Sequence, residues 1–165
     1  MDVEHILRTL NSHGVEYILA GGMNFLLNHT GPLSYEVGLF INDTEANRSE
    51  LNFALQELGC AWGPDSEHWK TITGGPQWLD RQPVFCLTSP HGAIDIFRAI
   101  KGLEDGFEAC KNRAEIRSMQ DGEMYYSLSD EDMLRSQLAL PETEERKQRI
   151  ETLRKSIETR KKHVG

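Results

Sequence analysis

Between Val15 and Asn42 the chain reads VEYILAGGMNFLLNHTGPLSYEVGLFIN, and this stretch leaves little freedom of architecture. Val15, Tyr17 and Leu19 alternate with Glu16, Ile18 and Ala20, a mixture of β-branched, aromatic and aliphatic residues that suits a largely buried strand. Gly21-Gly22 stops that strand. Met23 to Asn28 predicts a turn or two of helix, buried through Phe25, Leu26 and Leu27. Thr30-Gly31-Pro32 ends the helix, because a proline disfavours helical geometry at the residue before it. Leu33 to Ile41 then resumes an extended, alternating pattern. A strand that ends in paired glycines at a helix start is a place where backbone N–H groups can face a phosphate. Asn24, just after the glycines, is placed to reach a phosphate or ribose oxygen, or else to cap the turn.

Size and charge narrow the classes. A chain of 165 residues with 27% charged and 38% apolar residues fits one soluble domain with a sizeable core. No apolar run approaches the ~18 residues of a membrane span, so no membrane partner is expected. MDVEHILRTL at the start lacks the layout of a signal peptide. Cys60, Cys86 and Cys110 are odd in number and contain no CxxC pair, which points to a reducing cytoplasm and to buried apolar thiols. The net charge of −8 disfavours a general nucleic-acid binder and leaves nucleic acid only as an acceptor. Glu142 to His163 nevertheless holds eight Lys or Arg against five acids, a local +3 on a body of −11. That basic tail reads as a solvated helix face, or as a contact for a phosphate-rich partner or for the body's own acidic side.

The remaining segments resolve into short elements. Residues 2–13 predict an amphipathic helix through Val3, Ile6, Leu7 and Leu10, ended by Gly14. A second helix follows Asn42-Asp43-Thr44, with Leu51, Leu55 and Leu58 facing a core, Phe53 and Ala54 adding to it, and Gly59 as the stop. Residues 60–82 have no steady period and carry Trp62, Trp69 and Trp78. Such a long segment reads as a lid or partner-binding loop, with two of the three tryptophans pinning it to the body. Its His68, Lys70 and Arg81 are polar groups able to meet a triphosphate. Val84–Leu87 and Ala93–Phe97 predict an antiparallel hairpin, with Ile94 and Ile96 on one face and Ala93, Asp95 and Phe97 on the other. An acid between Ile and Phe is costly unless paired or metal-bound, and Arg98 is its nearest ion partner in sequence. Leu103–Ala114 predicts a helix, and Asp121-Gly122 a hairpin turn between Glu115–Met119 and Glu123–Leu128. Ser129 caps a further helix, with Asp132 in the capping-box position. After Pro141, Ile150, Leu153 and Ile157 form a seam that packs on the body or on a second copy.

The layout resembles the nucleotidyltransferase superfamily, in particular its small bacterial members related to abortive-infection and toxin-type enzymes. In that family a Gly-Gly or Gly-Ser pair opens a helix, a following strand carries Asp-x-Asp or Asp-x-Glu, and a third Asp lies on a later strand. Here the pair is Gly21-Gly22, and thirteen residues separate it from Glu36-Val37-Gly38. The third acid is matched by Asp95 in Gly92-Ala93-Ile94-Asp95-Ile96-Phe97. The match covers roughly residues 1–100 by motif. It implies an α/β (α+β) nucleotidyltransferase fold, with a mixed central sheet flanked by helices. The expected single domain spans 1–165, with its core over about 1–128 and a helical tail over about 129–163. It also implies that Gly21, Gly22 and Asn24 contact a nucleoside triphosphate. Glu36 and Asp95 would hold Mg²⁺, with Asp95 as base towards an acceptor hydroxyl. Family members often carry a basic residue near the nucleotide on the C-terminal helices, for which Arg135, Arg146 and Lys147 are the candidates.

The departure from the pattern decides the expected activity. Nucleotidyl transfer is an in-line displacement at phosphorus, usually clamped by two Mg²⁺ ions. Mg²⁺ demands near-octahedral oxygen ligands, and residues i and i+2 of a strand share a face, so Asp-x-Asp sets two carboxylates side by side. In this chain Glu36 stands at the first position and Gly38 at the second, leaving two carboxylates in place of three. The expectation is a weakly active or inactive pseudoenzyme that binds nucleotide or a protein partner, the latter through the tryptophan segment or the C-terminal helix. The alternative is an active Mg²⁺-dependent enzyme moving a nucleoside monophosphate to a hydroxyl acceptor.

Overall fold

A computed structural model describes residues 1–29, 36–63 and 65–164. The expected helix break at Thr30-Gly31-Pro32, the start of the second strand at Leu33 and the turn residue Pro64 lie outside them. Helix α1 spans Val3–Ser12 and is capped by Asp2, whose side chain accepts from the His5 N–H. Strand β1 is Tyr17–Ala20, helix α2 Gly21–Asn28 and strand β2 Glu36–Ile41. Helix α3, Glu45–Glu57, starts at Thr44, whose hydroxyl accepts from the Asn47 N–H at 3.2 Å. Two short strands, β3 (Ala61–Trp62) and β4 (Lys70–Thr71), and two 3₁₀ turns, Ser66–His68 and Pro76–Arg81, organise the aperiodic segment. Strands β5 (Val84–Leu87) and β6 (Ala93–Phe97) form the expected hairpin. Then come α4 (Phe107–Arg113), β7 (Glu115–Ser118), β8 (Met124–Ser127), α5 (Asp130–Leu138) and α6 (Glu144–Val164).

The sheet is mixed, with six strands in the order β5-β6-β2-β1-β8-β7. The pairs β1–β2, β5–β6 and β7–β8 are antiparallel, whereas β2–β6 and β1–β8 are parallel. Strand alternation divides the core into two. Leu19, Val37, Leu39, Ile41, Phe85, Leu87, Ile94 and Ile96 pack under α1 and α3, joined by Ile6, Leu7, Leu10, Leu51, Leu55 and Leu58. Each such fully buried aliphatic side chain contributes about 1.5–3 kcal/mol. The opposite face, through Ile18, Ala20 and Phe40, meets Phe25 of α2, Phe107 and Cys110 of α4, Met133 of α5 and Leu153 of α6. These helices cover the β1 side of that face. Towards the β5 edge, Val84 and Cys86 are exposed, and Ala93, Asp95 and Phe97 are half-buried.

Several expectations change. Phe53 is 56% exposed and belongs to no core. The helix expected from Leu103 starts at Phe107, because Gly106 takes a left-handed φ of +92°, although Leu103 is buried beside it. Ser129 caps α5 as expected, accepting from the Asp132 N–H at 3.1 Å. The Asp132 carboxylate does not reach back to complete a capping box; it binds Arg113 and Arg135 instead. The apolar seam of α6 packs on the body through Leu153. Among the described residues no helix is long and apolar enough to cross a membrane.

Candidate functional site

Four strands bring the candidate site together. In the parallel pair β2–β6, Gly38 lies opposite Asp95 and Glu36 opposite Ala93. In β5–β6, Cys86 lies opposite Asp95, and in β1–β2, Ala20 lies opposite Gly38. Cys86, Asp95, Gly38 and Ala20 therefore form one row across the sheet, with Glu36 two residues along β2 on the same face. Gly21 follows Ala20 with φ +70°, a left-handed turn from the extended strand into α2 that a side chain would strain. Glu36, Asp95 and the glycine turn thus meet at the half-open part of the face.

The electrostatics single out Asp95. Burial pushes its carboxyl above the usual carboxylate range, and the negative charge of Glu36 pushes the same way. A hydrogen bond with the Cys86 thiol opposes them. The Cys86 thiol is itself raised, first by burial and then by the charge of Asp95. Arg98 is not the counter-ion expected from sequence. Its guanidinium forks onto Asp43, Nε to Oδ1 at 2.9 Å and a terminal nitrogen to Oδ2 at 3.1 Å, and donates to the Leu79 carbonyl at 2.7 Å. Arg48 holds Asp43 from another side at 2.8 Å, so Asp43 serves this pairing while Thr44 alone caps α3.

Gly38 is the decisive position. A Cβ placed on it would lie 2.8 Å from the carbonyl oxygen of Ala20 and 3.4 Å from the ring of Phe97. The position where the resemblance puts a second carboxylate is filled by backbone and by an aromatic edge. Opposite it, a Cβ on Gly21 would reach the Cα of Gly38 at 4.0 Å. The tight approach is at Gly38, against the Ala20 carbonyl; the Gly21 separation is an ordinary van der Waals contact.

Other expected contacts move away from the site. Asn24 is fully buried, and its amide is committed inside. It donates to the Leu128 carbonyl at 3.1 Å and lies 3.2 Å from the Met133 sulfur, while its oxygen accepts from the Ser127 hydroxyl at 2.7 Å. The asparagine is a strut between α2 and the β8–α5 junction, not a group aimed at a ligand. Trp62 and Trp78 stack 5.7 Å apart over Phe85, and the Trp78 indole donates to Asn52 at 2.8 Å. They pin residues 60–82 to the body; Trp69, 37% exposed, does not. Within that segment His68 turns onto Asp65 at 2.7 Å. The basic candidates on the C-terminal helices are engaged locally. Arg135 binds Asp105 and Asp132, Arg146 donates to the Pro141 carbonyl, and Lys147 lies 3.5 Å from Glu144. The cation beside the glycine turn is instead Arg149, 5.6 Å above the Phe25 ring, lining a narrow cleft with Gly21 and Gln137.

Two site residues escaped the sequence reading. Cys86 was expected as a buried thiol, yet the hairpin register, which the turn at Thr88–Gly92 does signal, places it against Asp95. Arg149 carries no local signal, since its position depends on how α6 crosses α2. No protein-family model matches the chain, and no curated protein matches it.

The donor set can be tested against the metal that the resemblance implies. Among the described residues no group of three or more His, Cys, Asp or Glu side chains is arranged to hold a metal ion. Glu36 and Asp95 supply two carboxylates, and Gly38 has no room for a third. These residues do not fit a two-metal centre.

Proposed function

We propose that the protein is a nucleotidyltransferase-like scaffold without transferase activity, a pseudoenzyme that works by binding. The support for the scaffold is the mixed sheet, the left-handed glycine turn that opens α2, and the meeting of Glu36 with Asp95. The observation that carries the loss of activity is the 2.8 Å approach of a Gly38 Cβ to the Ala20 carbonyl oxygen. A carboxylate at position 38 is excluded by backbone rather than merely missing. Glu36 and Asp95 together repel a bare triphosphate, so nucleotide binding at this face requires a divalent cation carried chiefly by the phosphates. The binding surfaces left for a protein partner are Trp69 and the exposed Arg154, Lys155, Lys161 and Lys162 of α6.

A second reading keeps catalysis, and one observation favours it. Asp95 is held towards its protonated form beside Glu36, the disposition of a carboxyl tuned for acid–base work. The two readings separate in one experiment. The protein is incubated with α-labelled ATP or GTP and Mg²⁺, with total nucleic acid or protein as acceptor, and calorimetry follows nucleotide binding in parallel. The pseudoenzyme reading expects no label transfer, and heat of binding only with Mg²⁺ present, lost in Asp95→Ala. Transfer by the wild-type chain that Asp95→Ala abolishes establishes the active enzyme. Absence of both heat and transfer leaves the nucleotide reading without support.

A further inference from the structure

The two edges of the sheet end differently. Beyond β5, the bridge between Ala61 and Thr88, with its two backbone hydrogen bonds, closes one end of the edge. Beyond β7 no strand pairs among the described residues, and all four of its residues are exposed. The hairpin register shows which backbone groups are unused. The Met119 N–H donates to the Glu123 carbonyl at 2.8 Å, and the Gly122 N–H to the Met119 carbonyl at 2.9 Å. Antiparallel ladders alternate, so Arg117 and Glu115 also turn their backbone groups inward, towards Tyr125 and Ser127. Ile116 and Ser118 therefore point their N–H and C=O groups outward, a template for one more strand.

Natural edges are often guarded by charge, and this edge carries Glu115 and Arg117. The two charges are opposite, two residues apart on one face, and bonded at 2.7 Å, with Arg160 of α6 3.5 Å from the other Glu115 oxygen. A strand with that pattern is complementary to itself in one antiparallel register. Centred on Ile116, two copies exchange backbone hydrogen bonds through Ile116, and each Glu115 faces the other copy's Arg117. Centring on Arg117 or on Glu115 sets like charges against each other. On the opposite face the same register brings together two side chains of Ile116, 60% exposed, next to Met124, 59% exposed. These two, with Tyr126 and Phe107, line a half-open apolar cavity of about 310 Å³.

We infer that β7 is the interface of a symmetric dimer, in which two copies of the chain join their sheets antiparallel through Ile116 into one continuous twelve-stranded sheet. The interface lies on the far side of the sheet from Asp95 and is independent of the proposed function. Sedimentation equilibrium across the micromolar range, with circular dichroism as the check on folding, tests it. Wild-type protein is expected to be dimeric. Glu115→Arg and Arg117→Glu, each alone, place like charges opposite one another twice and are expected to weaken the dimer at least about tenfold. An equimolar mixture of the two variants restores opposite charges across the interface and is expected to recover a heterodimer. A monomeric wild type, a dimer indifferent to both substitutions, or a mixture that stays monomeric would each overturn the inference.

Discussion

Asp132 and Asp95 are carboxylates drawn into the same body and handled in opposite ways. Asp132, 1% exposed, lies 2.9 Å from the Nε of Arg113 and 3.0 Å from a terminal nitrogen of Arg135. Asp105 joins both arginines, making a small ionic lattice that ties α4 to α5. Those bonds hold the Arg113 guanidinium more firmly protonated than usual and the Asp105 carboxyl below its usual range. Asp95 has a thiol and another acid as neighbours, and its charge is penalised by burial and by Glu36. A carboxylate that serves the fold brings its cations with it. Asp95 has instead a hydrogen bond with the Cys86 thiol, which offsets part of the penalty from burial and from Glu36.

Removing the cations from Asp132 is the severest way to break this contrast. Arg113→Ala combined with Arg135→Ala strands a buried charge, and urea unfolding is expected to show a loss of about 3–5 kcal/mol. A loss no larger than that of a surface substitution would mean that Asp132 is not held by its arginines. Next in size is Gly38→Asp. The forced approach to the Ala20 carbonyl is expected to cost about 1–3 kcal/mol in the same assay. Calorimetry with Mg²⁺ and ATP should detect no stronger binding in this variant than in wild type. Unchanged stability together with tighter binding would show that the turn yields and that the acid is merely missing.

Asp95→Asn sharpens the other half of the comparison. The folded state holds Asp95 protonated to higher pH than the unfolded chain does. Its contribution to stability is therefore greatest below the ordinary carboxylate value and is lost as pH rises through its own raised value. The Asn variant lacks that loss, so its stability relative to wild type is expected to rise across this window and then level off. A parallel pair of pH–stability curves would remove Asp95 from the account. In the same variant alkylation of Cys86 should quicken, because the Asp95 charge no longer raises the thiol. The smallest effect belongs to Glu36→Gln, which should lower the titration midpoint of Asp95 in a carboxyl-carbon NMR titration.

The local parts of this molecule were legible in its sequence. The β5–β6 hairpin, the Thr44 and Ser129 caps, and the facing of Ile94 and Ile96 follow from short-range rules of alternation, capping and turn chemistry. The meeting of Glu36 with Asp95 was implied by the resemblance, whereas alternation alone gives only the face that each side chain takes within its own strand. The rest depends on partners distant in the chain. Asn24 looked available because Ser127 and Leu128, which engage it, lie more than a hundred residues away. Arg98 looked like the partner of Asp95 because it is near in sequence, yet Asp43 offers both carboxylate oxygens to its fork. Gly38 read as a missing acid, and only the path of β1 beside it shows that the space is occupied.

The contact between Gly38 and the Ala20 carbonyl also orders which changes this chain can accept. An acid acquired at position 38 while the turn is unchanged harms folding before it can help chemistry. A turn that first opens, with glycine still in place, gains nothing. A third carboxylate there therefore calls for two changes together, one at position 38 and one in the path of the chain at Ala20. Trp69 and the outer face of α6, at Arg154, Lys155, Lys161 and Lys162, are exposed, so a changed side chain there meets solvent first.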